Sequence, residues 1–114
     1  MNQLILNLVQ GSVRINFTRE AAENLQKETN TLIQSLKMLA ATAGDRGQKP
    51  QPQANMEYSY TGDVFLEVFC NPNIYPSPFA AKVLLTIRDE KIRLTTEAEL
   101  TQLREDIDRY LESI

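Results

Sequence analysis

Apolar and polar positions trade places along residues 82–94. Lys82-Val83-Leu84-Leu85-Thr86-Ile87-Arg88 and Lys91-Ile92-Arg93-Leu94 flank Asp89-Glu90, which reads as a β-hairpin around a polar turn. The period then changes. Leu100, Leu103, Ile107, Tyr110 and Ile114 fall on one helical stripe, and Thr96 with Glu99 has the spacing of a capping box. A helix is therefore expected directly after the hairpin.

The N-terminal third repeats that order. Leu4, Leu6 and Leu8 alternate, Gly11-Ser12 supplies turn chemistry, and Val13, Ile15 and Phe17 alternate with Arg14 and Asn16. Ile5 and Val9 lie opposite the leucines, so the first strand is expected to be covered on both sides. Thr18 is placed as an N-cap, with Glu20 in the first turn where the helix dipole favours negative charge. The helix that follows is expected over 19–43. Leu25, Leu32 and Leu39 repeat every seven residues, Leu36 and Ala43 fill the rows between, and Ala22, Ile33 and Ala40 widen the stripe. A helix lying on its own sheet is the expectation; a seam shared with a second copy is the alternative. Gly44 suits the stop.

Asp45 to Asn55 has two prolines and no apolar period, and reads as a mobile loop. Met56–Tyr60 and Val64–Cys70 alternate on either side of Thr61-Gly62-Asp63. That segment fits a tight hairpin or a bulge in one long strand, and the bent strand is favoured. Residues 71–78 carry three prolines in Asn71-Pro72-Asn73-Ile74-Tyr75-Pro76-Ser77-Pro78, a proline-pinned loop held toward extended backbone. The order is ββα-βββα. The expected architecture is one α+β domain over 1–114, a five-stranded, mostly antiparallel sheet with two helices packed on one face.

Composition narrows the chemistry. At 114 residues the chain can bury a core without staples. It contains no histidine, which removes imidazole bases, His-activated nucleophiles and imidazole metal sites. The single Cys70 has no CxxC partner, stands in phase with Val64, Leu66 and Val68, and is expected to be a buried core residue. One cysteine and no signal-like N-terminus point to a reducing, cytoplasmic setting. The net charge of −3 argues against nucleic acid as a partner, and no apolar run is long enough for membrane insertion. Gly44-Asp45-Arg46-Gly47 follows a helix rather than a strand and does not fit a phosphate cradle. Glu57, Asp63 and Glu67 are the carboxylates of the central strand region; the solvated side of a sheet accounts for them more simply than acid–base or metal chemistry. Glu97, Glu99, Glu105, Asp106, Asp108 and Glu112 read as a solvated acidic face of the last helix. No catalytic, cofactor or metal residue is assigned, and an enzyme is not expected.

Aromatic residues are unevenly spread. Six of the eight, Tyr58, Tyr60, Phe65, Phe69, Tyr75 and Phe79, lie within 58–79. Strand parity turns Phe65 and Phe69 away from Val64, Leu66 and Val68. If the valine–leucine face meets the helices, the two phenylalanines form an apolar patch beside the proline loop. The expected function is a non-catalytic protein–protein interaction module, an assembly factor or regulatory adaptor acting through Phe65, Phe69, Tyr75 and Phe79, as a homodimer. The alternative is a small-molecule-binding domain with a pocket between sheet and proline loop, lined by Tyr58, Tyr60 and Tyr75.

Overall fold

Local pattern becomes secondary structure nearly throughout the computed structural model, which describes residues 2–42 and 51–114. The elements run β1 (Gln3–Asn7), β2 (Ser12–Asn16), α1 (Arg19–Thr42), β3 (Met56–Thr61), β4 (Phe65–Cys70), a 3-10 turn (Pro72–Ile74), β5 (Lys82–Arg88), β6 (Arg93–Glu99) and α2 (Leu100–Glu112). The fold is α+β. Its strands form two sheets rather than the expected single five-stranded one: a hairpin β1-β2 and a four-stranded antiparallel meander β3-β4-β5-β6.

The first hairpin closes at Gly11, whose φ of +89° is open to glycine at no steric penalty, and the Leu8 N–H donates to the Gly11 carbonyl at 2.9 Å. Leu4, Leu6, Ile15 and Phe17 are buried, while Ile5 and Val9 are 44% and 59% exposed. The expectation that β1 is covered on both sides therefore fails. The hairpin gives one face to the core and leaves the other in water.

Thr18 caps α1 as its sequence suggests, its Oγ1 accepting the Ala21 N–H at 3.1 Å. Ala22, Leu25, Leu32, Ile33 and Leu36 are buried in the protein's own core, so the heptad leucines do not form a free seam. Ala43 and Gly44, the expected end and stop of this helix, lie outside the described residues, as does the 45–50 part of the loop expected to be mobile. Its remaining part is tied down: Asn73 Oδ1 accepts the Gln53 N–H and Asn73 Nδ2 donates to the Gln53 carbonyl, both at 2.8 Å.

Residues 56–70 are a hairpin, not a bent strand. Thr61 pairs with Phe65 around Gly62-Asp63-Val64. A Cβ on Gly62 would collide with the Tyr60 ring, so this glycine is needed for the ring to fold over the turn. The capping box also fails. β6 runs through Thr96 to Glu99, pairing Thr96 with Leu85 and Thr95 with Thr86, and α2 starts only at Leu100. Threonines favour the pleated ladder, and the ladder takes them before the helix begins. Glu99 occupies the cap position without a side-chain cap bond.

Met56, Leu66, Val68, Cys70, Val83, Leu85, Ile87 and Ala98 on the inner sheet face share one core with the stripes of α1 and α2 and the inner side of the first hairpin. Phe17 joins them, meeting the Tyr60 ring edge-on with centroids 4.6 Å apart and the Tyr110 ring at 6.0 Å. Tyr110 Oη donates to the Phe17 carbonyl at 2.6 Å. No helix among the described residues is long and apolar enough to cross a membrane.

Candidate functional site

Strand pairing fixes which side chains meet on the outer face of β3–β6. From β3 to β6 one row reads Glu57, Phe69, Leu84, Glu97. The middle row is Ser59, Glu67, Thr86, Thr95, and the third is Thr61, Phe65, Arg88, Arg93. No described element covers these rows. Phe65 and Phe69 are half-buried, Leu84 is 42% exposed, and Thr86 in the middle row is buried at 8%. The expected outward turn of the two phenylalanines is what the structure has. The physical cause is parity: Leu66, Val68 and Cys70 face the core at 0–2% exposure, so their odd-numbered neighbours point the other way.

Charge on this face is sorted by row. Glu57 and Glu97 stand at the two ends of the first row, and Arg88 and Arg93 stand side by side in the third. The Arg88 guanidinium lies over the Phe65 ring at 4.3 Å from its centroid, a cation–π contact worth about 0.5–1 kcal/mol at an exposed site. Among the described residues the ion pair present is Arg19 with Glu23 on α1, so none of the face charges has an ion-pair partner among them. Two shallow depressions flank the apolar row. One of about 420 Å³ is lined by Glu57, Ser59, Glu67 and Phe69. The other, of about 470 Å³, is lined by Val9, Lys82, Leu84, Thr95 and Glu97. The tip of the first hairpin thus adds Val9 to the rim beside Leu84.

Phe79 is elsewhere. It is 86% exposed at the mouth of a depression of about 500 Å³ lined by Ile33, Lys37, Pro78, Leu100 and Arg104, on the helical side. Tyr75 is half-buried against the core; burial first, then the neighbouring Cys70, pushes its hydroxyl up. The structure therefore puts Phe65 and Phe69 on one face, in rows either side of Glu67, and leaves Phe79 off it. The three tyrosines offered for a small-molecule pocket all pack, half-buried, against the core. Tyr58 Oη donates to the Ala21 carbonyl at 3.0 Å, and burial, then Tyr60, pushes its pKa up to about 12. The Tyr60 ring is packed on Phe17.

Glu57 and Glu67 share the outer face, but among the described residues no three His, Cys, Asp or Glu side chains gather where they could hold a metal. Cys70 is buried and free, and desolvation pushes its thiol up to about 11, which disfavours the nucleophilic thiolate.

One polar group of structural weight escapes sequence reasoning. Asp106, expected on a solvated face, is 3% exposed. Its carboxylate accepts the Asn7 backbone N–H and Asn7 Nδ2, each at 2.8 Å, and Gln102 Nε2 at 2.9 Å. Only its position one residue before Ile107, near the edge of the apolar stripe, hints at this. No protein-family model matches the chain, and no curated protein or solved structure matches it either.

Proposed function

We propose that this chain is a non-catalytic protein–protein interaction module that docks through the outer face of β3–β6. The single supporting observation is the uncovered pair Phe65 and Phe69, set with Leu84 among charges that have no ion-pair partner among the described residues. Apolar rings on a face that the fold leaves open stabilise a contact rather than the core, and buried aromatics anchor interfaces. Phe79, beside the helices, is not part of this surface. The buried, unpaired thiol of Cys70 suits a reducing compartment, as the cytoplasmic reading requires. The test is site-specific photo-crosslinking in the native cell. A photo-reactive residue in place of Ser59, in the middle row at the β3 edge of the face, is expected to give a discrete adduct, and one in place of exposed Asn30 on α1 is expected to give none. No adduct from Ser59 removes the reading.

A further inference from the structure

Resting on that reading of the outer face, we propose that its occupant is a second copy of this chain. The copies sit face to face about a two-fold axis that lies in the interface and runs perpendicular to the strands. Such an axis keeps each strand opposite its own counterpart and inverts the row order. The first row of one molecule then lies on the third row of the other. Phe69 meets Phe65 of the second copy, and Glu97 meets its Arg93. Each contact occurs twice, as an isologous interface demands.

Charge selects this register over its rival. An axis along the strands would set β3 against β6 and bring Glu57 onto Glu97 at both ends of the first row, a like-charge contact made twice. Within one molecule, Arg88 and Arg93 are direct cross-strand neighbours, a repulsive pair, and Arg88 leans over the Phe65 ring. In the proposed register Glu97 of the second copy supplies the missing anion, and its Leu84 covers the Arg88 stem. Face-to-face sheets pack about 10 Å apart, within reach of phenylalanine side chains from both sides. Four strands of this length span roughly 19 by 20 Å, about 400 Å² in projection, from strand spacing and rise. That is about 800 Å² counted over both copies, below a standard interface, so the dimer is expected to be weak and reversible, with a Kd of micromolar or above. The register has one unfavourable contact: Glu67 in the middle row faces its own counterpart across the axis.

The test is sedimentation of the full chain from 1 µM to 1 mM, as an order-of-magnitude window around a Kd of that size. Wild type is expected to pass from monomer to dimer. Glu97→Arg and Arg93→Glu each replace two attractive contacts with two repulsive ones and should weaken association about tenfold or more. The double variant Glu97→Arg/Arg93→Glu should regain it, and so should an equimolar mixture of the two single variants, because both 97–93 contacts in that heterodimer are again between opposite charges. Glu67→Gln should tighten the dimer. Circular dichroism checks that each variant is folded. A wild type monomeric throughout, a dimer indifferent to both reversals, or no gain on mixing overturns the proposal. The Ser59 crosslink separates the two claims: an adduct of twice the chain mass supports the second copy, whereas an adduct of any other mass overturns it and leaves the docking face standing.

Discussion

On the inner face of β3–β6 the positions Leu66, Val68, Val83 and Leu85 are fully enclosed, while one residue away on the same backbones Phe65, Phe69 and Leu84 meet water. The same ladder carries both sets. Inner residues gain from folding itself, by burial of roughly 1.5–3 kcal/mol per large side chain. Outer apolar residues gain only a fraction of that until another surface arrives. The difference separates positions that hold the fold from positions that hold a partner, and it can be attacked one residue at a time.

The largest effect belongs inside. Leu85→Ala should lower unfolding free energy by about 3 kcal/mol in urea titration, with self-association per folded molecule unchanged. Phe69→Glu should do the reverse, altering stability by less than about 1 kcal/mol while abolishing the dimer. If Phe69→Glu unfolds the chain, the division between the faces is wrong. Next comes the polar link at the edge of the core: Asp106→Ala strands two Asn7 N–H donors and should destabilise by about 2–3 kcal/mol. Smaller still is an alkaline trend. Tyr58 and Cys70 hold their protons more tightly folded, to about 12 and about 11 against ordinary values of 10.0 and 9.0. The folded state binds more protons than the unfolded one in that window, so this stability is full below pH 9 and is lost as pH rises through 9–12. Melting temperatures should fall over that range, and Tyr58→Phe should flatten the part above pH 10. Smallest is Glu99→Ala, expected within about 0.5 kcal/mol in the same urea assay, because the side chain makes no cap bond.

Elements encoded by adjacent residues were readable. The turn at Gly11, the Thr18 cap, the α1 stripe and the outward parity of Phe65 and Phe69 all follow from short windows. Features decided by distant partners were not. Thr96 and Glu99 have capping-box spacing, but β5 claims Thr96 for the ladder. Nothing near Gly62 announces that the Tyr60 ring will fold over it, which is why the sequence favours a bent strand where the structure has a hairpin. The first hairpin stays out of the main sheet because Phe17 turns into the core against Tyr60 and Tyr110, the latter 93 residues away. For the candidate face, strand parity placed two of the four aromatics; Tyr75 and Phe79 follow the proline loop, whose path no periodicity encodes.

The bonds from α2 to the first hairpin also set a timetable. Asn7 waits for Asp106 and the Phe17 carbonyl for Tyr110, so β1 and β2 dock with a helix translated 93 to 99 residues after them. At about 5–20 residues per second that is an interval of roughly 5–20 s in which Leu4 and Leu6 emerge without their cover. A nascent chain stalled before α2 is accordingly a sticky species, and shelter during translation matters more for this small protein than its length suggests.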